Sequence, residues 1–226
     1  MSVATQDGFE RQREEMVQLI RQRGVRDDAI CNALREVRRQ EFVSEEIRSH
    51  AYEDSPLPIG NDQTISQPYI VALMTAELGI TANDRVLEIG TGSGYAAAIL
   101  ACIASEVFTV ERHADMAEAA ARRLKEQGFD RVRVRHGDGT LGWPEHAPYN
   151  AITVAAGGPD VPKPLLEQLT AGGRMVMPVG DDPRVQRLVR VTKVGQGEYH
   201  HEDLGGVHFV PLVGQAGWPK GDGGNF

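Results

Sequence analysis

The chain has 226 residues, long enough for one large α/β domain or two small ones, with 41% hydrophobic and 25% charged residues, which excludes disordered, collagenous and fibrous classes. Its formal net charge of −8 argues against binding the nucleic-acid backbone, which concentrates Lys and Arg, and is read as a solubility feature. Two widely separated cysteines, Cys31 and Cys102, provide no disulfide framework and suit a reducing compartment.

The N-terminal stretch "MSVATQDGFERQREEM" lacks the apolar run of a secretory leader, and the most apolar segment, Ala96 to Ala104, is too short to span a bilayer. A cytoplasmic protein is expected. Phe9, Met16, Val17 and Ile20 share one helical face that ends at Gly24, and Ile30, Leu34 and Val37 continue the pattern. Residues 8–60 are therefore expected to form an N-terminal helical layer followed by a loop carrying Pro56, Pro58 and Gly60. Residues 61–80 combine a polar turn with an amphipathic helix. Ser66 is read as its N-cap, Pro68 lies in its first turn, and Ile70, Leu73, Met74 and Leu78 form the apolar face.

From residue 84 strands and helices alternate. Strands are expected at "RVLEIG" (85–90), "EVFTVE" (106–111), "RVRVRHG" (131–137), "NAITVAA" (150–156) and "GGRMVMPVG" (172–180). Between them come the helices "YAAAILACIA", "ADMAEAAARRLKEQG" and the short "PKPLLEQLT". The alternation predicts an α/β fold with a doubly wound, mostly parallel sheet over 84–213. "VQRLVRVTKV" and "GGVHFVPLV" are expected to close it as a C-terminal antiparallel pair. The Gly-rich residues 214–226 read as a flexible tail, and no linker divides residues 1–226 into more than one domain.

Where the first of these strands hands over to a helix stands "VLEIGTGSGY". Small residues there let a ligand approach the backbone, and the helix start offers free N–H groups. A G-x-G-x-x-G count from Gly90 places Tyr95 at the third glycine position, which disfavours a dinucleotide site. The G-x-G-x-G of Gly90, Gly92 and Gly94, preceded by Glu88 and interleaved with Thr91 and Ser93, instead resembles the turn of S-adenosylmethionine-dependent methyltransferases. Glu111 ends the next strand 21 residues beyond Gly90, where a carboxylate grips a ribose diol. Asp138 and Gly139 in "HGDGT" suit an adenine edge, although Asp138 reads equally as a turn residue.

"QTISQPYIVALMTAEL" resembles the substrate loop of protein-L-isoaspartate O-methyltransferases, and the likeness continues through "VLEIGTGSGY", "VFTVER", "GDGTLGWPEHAPYNAI", "PLLEQLTAGGRMVMPVG" and "FVPL". The resemblance implies a Rossmann-like methyltransferase fold. It also implies methyl transfer from S-adenosylmethionine, leaving S-adenosylhomocysteine, to the α-carboxylate of L-isoaspartyl residues, as protein repair through a succinimide. Ser66 is then expected to hydrogen-bond the substrate carboxylate. Thr64 and Ile65 shape the loop, Gln63 or Gln67 assists, and the backbone of "VHFVPLV", with Val210 and Leu212, pairs with the substrate peptide. Isoaspartyl proteins and peptides are the expected partners of a monomer that binds neither nucleic acid nor membrane.

Asn150, the "AAGGPD" loop and Val213 depart from the family pattern. A relative that methylates a normal aspartate in one biosynthetic peptide would keep the same motifs; an NAD(P)-dependent dehydrogenase and a non-catalytic binding module are the remaining alternatives. No metal is expected: His200 and His201 are adjacent, and neighbours on a strand face opposite ways.

Overall fold

The structure is a computed structural model that describes residues 6–219. Helices α1 (Gln6–Gln22) and α2 (Asp28–Glu36) form the expected N-terminal layer. Met16, Val17 and Ile20 are buried on α1, and Ile30, Ala33 and Leu34 on α2, so each helix buries the stripe that its spacing describes. Two 3₁₀ turns follow, Arg39–Phe42 and Glu45–His50.

The segment read as a proline-rich loop contains a small hairpin, β1 (Leu57–Gly60) and β2 (Gln63–Ile65). Its two-residue turn places Asn61 and Asp62 at φ of 50° and 55°. Such turns match strand twist only when both central residues adopt positive φ, which Asn and Asp tolerate better than other non-glycine residues. Asn61 then donates its side-chain amide to the Asp115 carboxylate at 2.9 Å, tying the hairpin tip to the first turn of a later helix.

Helix α3 (Pro68–Leu78) begins one residue later than expected for a Ser66 cap. Pro68 fixes the first helical position, so Gln67 becomes the N-cap and Ser66 lies outside. The cap is supplied from elsewhere: the Asp54 carboxylate accepts the Tyr69 N–H at 3.0 Å and the Gln67 amide at 2.9 Å, and it also pairs with Arg23. Asp54→Ala should therefore destabilise the protein by about 0.5–2 kcal/mol or more, the usual loss for a cap, while Ser66→Ala should leave stability nearly unchanged. Urea unfolding of the two variants measures the difference.

The remaining strands and α-helices are β3 (Arg85–Ile89), α4 (Tyr95–Ile103), β4 (Glu106–Glu111), α5 (Ala114–Glu126), β5 (Val132–His136), β6 (Tyr149–Val154), α6 (Lys163–Glu167), β7 (Leu169–Asp182), β8 (Val185–Gly195) and β9 (Glu198–Val207). They build a seven-stranded sheet in the order β5-β4-β3-β6-β7-β8-β9, parallel except for the pairs β7–β8 and β8–β9. The chain runs outward from β3 through β4 to β5, then returns to the other side of β3 at β6. A crevice opens at the carboxyl ends of strands where the winding reverses in this way. Val86, Val107, Ala151 and Val176 face the helices α1 to α5, and Leu87, Phe108, Ile152 and Met175 face a second core with α6.

The closing antiparallel pair is β8 with β9, but β9 covers "EYHHEDLGGV", not the "GGVHFVPLV" expected. Residues 208–213 instead run beside the loop after β6, where the Gly157 N–H donates to Val210 O and the Leu212 N–H to Gly157 O, both at 2.8 Å. A side chain at Gly157 would meet Gln186, so the glycine-rich "AAGGPD" loop is what lets this segment approach. The tail is also held further than expected. Gln215 N–H donates to the Asp138 carboxylate at 2.8 Å, Ala216 N–H to the Thr140 hydroxyl at 3.0 Å, and Trp218 Nε1 to Gly157 O at 2.9 Å. Residues 220–226 lie outside the described part.

Candidate active site

The turn after β3 is shaped by positive φ at Gly90, Gly92 and Gly94 (92°, 53° and 91°), which residues with a Cβ adopt only at a cost. Three side chains brace it. Glu111 accepts the Gly92 N–H at 2.9 Å and the His113 N–H at 3.1 Å. Arg123 of α5 donates to Ser93 O at 2.7 Å. The Thr91 and Thr109 hydroxyls lie 2.6 Å apart, and Thr109 donates to Glu88 at 2.6 Å.

Above the turn lies a cleft of about 780 Å³ of empty space, part of it open to solvent. Glu88, Gly90, Thr91, Gly92 and Ser93 form its floor, with Glu111 and Gly139 at the side. Thr64, Ile65 and Ser66 close it from the β1–β2 hairpin, and Val210 and Leu212 from the segment paired with Gly157. A second, larger groove shares Gln63, Thr64, Ser66, Arg112, Ala155, Val210, Pro211 and Val213 with this cleft. Ser66 thus stands in the wall common to both cavities.

Three expected residues sit elsewhere. Gly94 caps α4 and packs against Leu124, where a Cβ would come within 3.2 Å, so it shapes the turn without lining the cleft. Gln67 lines only the outer groove, because its amide is spent on Asp54. Asp138 turns away: its Oδ1 accepts from the Thr140 N–H and hydroxyl, and its Oδ2 from Gln215. The turn-residue reading of Asp138 describes this arrangement, and Gly139 alone of the pair reaches the cleft.

Glu88 is 1% exposed, and its Oε1 has no hydrogen-bond partner among the described residues. Burial pushes its carboxyl up to about 8, with repulsion from Glu111 adding to the rise and the Thr109 hydroxyl opposing it. An unpaired buried carboxyl facing a cleft fits a cationic ligand group such as the ammonium of an amino-acid moiety. The folded form here holds a proton that the unfolded chain has lost. The contribution of Glu88 to the stability of the ligand-free protein should therefore be fully present below the ordinary carboxylate range and be lost as pH rises toward 8. Glu88→Gln should flatten that decline, whose limiting slope is about 1.4 kcal/mol per pH unit, in urea titrations between roughly pH 5 and pH 8. An unchanged slope would show Glu88 to be ionised in the folded state.

Sequence reading missed Arg39, Asp54, Arg112 and Tyr95. Arg112 offers the weak signal of following Glu111 at a strand end; Tyr95 was weighed only as a missing glycine. Arg39 and Asp54 reach the site through tertiary contacts that no local pattern marks.

The profile of the family described as "Protein-L-isoaspartate(D-aspartate) O-methyltransferase (PCMT)" matches residues 10–217. Protein-L-isoaspartate O-methyltransferase 2 of Pelobacter propionicus is 58% identical over 196 residues, covering 87% of each chain. Protein-L-isoaspartate O-methyltransferase of Brucella anthropi is 51% identical over 211 residues, covering 93% of this chain and 97% of the relative. A solved structure of a protein-L-isoaspartate O-methyltransferase superposes with a TM-score of 0.83 at 31% identity, over 91% of this chain and 67% of that one. Another, from Plasmodium falciparum in complex with S-adenosyl-L-homocysteine, shares the fold with a TM-score of 0.78 at 24% identity, over 89% and 98%. With the family profile spanning nearly the whole described chain and relatives above half identity, the chain belongs to the protein-L-isoaspartate(D-aspartate) O-methyltransferase family.

Proposed function

We propose that the protein transfers a methyl group from S-adenosylmethionine to the α-carboxylate of L-isoaspartyl residues in damaged proteins and peptides, opening their repair through a succinimide. The observation that carries this reading is the shared wall: a cleft over a glycine turn meets an outer groove at Ser66. When bound, the cofactor's sulfonium supplies an electrophilic methyl carbon. Glu88 would face its cationic amino-acid end, the backbone from Gly90 to Ser93 would underlie it, and Glu111 with Gly139 would flank the nucleoside.

No general base is needed, because a free carboxylate with a pKa near 4 is already ionised at neutral pH. What the chain must supply is desolvation and alignment. Ser66 is half-buried at the junction, and among the described residues its hydroxyl takes no part in the hydrogen bonds that fix the loop. It is thus available to the substrate carboxylate. The buried Ile65 and Leu212 exclude water around it, with Thr64 and Val210 beside them, and Gln67 holds the groove side of the loop through Asp54.

On this reading the described residues act as one domain, and the enzyme works in the cytoplasm as a monomer on peptides, not nucleic acid or membrane. Among the described residues no helix is long and apolar enough to cross a membrane. The test is methyl transfer from labelled S-adenosylmethionine to matched isoaspartyl and aspartyl peptides. Base-labile label on the isoaspartyl peptide alone is expected. Preference for the aspartyl peptide would instead identify a dedicated peptide-modifying relative.

A further inference from the structure

Arg39 is an anomaly that the reaction as described does not use. It is 0% exposed, and among the described residues no carboxylate stands within ion-pair distance of its guanidinium. Burying a cation without an anion is costly, and the interior normally avoids it. Its Nε donates to Ala51 O at 2.7 Å and its Nη2 to Ser66 O at 2.8 Å. The guanidinium lies 4.7 Å from the centre of the Tyr95 ring, and among the described residues both its Nη1 and the Tyr95 hydroxyl are buried without hydrogen-bond partners. Tyr95 and Ser66 both line the cofactor cleft.

The start of α3 does not offer a free anion site, since the Asp54 carboxylate already occupies the Tyr69 N–H. Asp54 is in turn matched by Arg23. Asp54 also acts on Arg39 from beyond ion-pair distance, but the one carboxylate is shared between two guanidinium groups, so the charge behind Ser66 that has no ion-paired carboxylate among the described residues is that of Arg39.

We propose that Arg39 is a positioning residue for the substrate carboxylate: its fork fixes the backbone that presents the Ser66 hydroxyl, and its unpaired charge draws the carboxylate to that hydroxyl. The proposal rests on the isoaspartyl methyl-transfer reading above. Its two parts separate kinetically. A carboxylate loses its charge as the ester forms, so a nearby cation favours bound substrate over product, and its removal falls on KM. A displaced Ser66 misaligns the reacting atoms, which falls on kcat.

Arg39→Lys keeps a group that is cationic at the acid end of the assay range, where the kinetics are run because burial lowers a lysine pKa, but it cannot bridge two carbonyls in a planar fork, whereas Arg39→Met removes both. Steady-state kinetics of both variants on an isoaspartyl peptide, with circular dichroism and calorimetry of S-adenosylmethionine binding, make the test. We expect kcat of Arg39→Lys to fall about tenfold with KM within about threefold, and KM of Arg39→Met to rise about tenfold further. Cofactor affinity should stay within about threefold in both, because Arg39 makes no hydrogen bond to the glycine turn. A folded Arg39→Met enzyme with wild-type KM overturns the proposal. So does an equal fall of kcat in both variants with KM unmoved, or failure of both to fold, since Arg39 would then serve the core alone. Absence of wild-type transfer to the isoaspartyl peptide is a different result, and overturns the functional reading itself.

Discussion

Ser66→Asp is expected to fold, to bind S-adenosylmethionine with nearly unchanged affinity, and to lose methyl transfer to isoaspartyl peptides more severely than Ser66→Ala. Because Gln67 and not Ser66 is the N-cap of α3, neither substitution removes a helix cap. Ser66 is half-buried and borders the open groove, so an aspartate there can reach water. It would nevertheless stand where the substrate carboxylate must come. Two like charges about 4 Å apart repel by about 4 kcal/mol at the effective dielectric near a protein surface, roughly a thousandfold in rate. Loss of one hydrogen bond to the carboxylate in Ser66→Ala removes about 1.5–3 kcal/mol, roughly ten- to a hundredfold in rate. Steady-state kinetics with calorimetry separate the outcomes. Near-wild-type transfer by folded Ser66→Asp would remove Ser66 from the reaction.

Glu111→Ala carries the next largest expected effect, on cofactor affinity. Glu111 is 5% exposed and latches the glycine turn by accepting the Gly92 and His113 N–H groups, while its carboxylate borders the cleft. The truncation removes that latch and the acceptor expected for the ribose hydroxyls. A hydrogen bond to a charged group contributes about 1.5–3 kcal/mol, so the dissociation constant should rise at least about tenfold. Glu111→Gln should lie between, since its amide keeps only one acceptor oxygen for two backbone donors. Calorimetry showing unchanged affinity in a folded Glu111→Ala protein would exclude the carboxylate from cofactor binding.

The parts of the fold legible in the sequence are those governed by local periodicity. The α1 stripe of Met16, Val17 and Ile20 and the buried strands at 85–89 and 106–111 stand where their patterns place them. The glycine turn was legible for the same reason, because its residue types and its position at a strand end are both local. The β1–β2 hairpin was not, since its turn depends on Asn61 and Asp62 adopting positive φ without a glycine between them. Ser66 looked like a cap because the local pattern of Ser then Pro is that of a cap. The carboxylate that performs the task, Asp54, lies 12 positions upstream of Ser66 and meets α3 only in the folded chain. Asp138 shows the converse. Its motif suggested a ligand contact, yet it lies outside the cleft lining and accepts from Thr140 and from Gln215 of a tail that composition alone marks as loose.

The claim on which the account turns is that the cleft and the groove meet at Ser66 so that carboxylate and methyl donor converge there. A crystal structure of the protein with S-adenosylhomocysteine and an isoaspartyl peptide tests it most directly. The account predicts the nucleoside beside Glu111 and Gly139, the peptide in the groove bounded by Arg112 and Val213, and the isoaspartyl α-carboxylate within hydrogen-bonding distance of the Ser66 hydroxyl. A peptide whose carboxylate lies away from Ser66, or a nucleoside outside the cleft over Gly90 to Ser93, would contradict it.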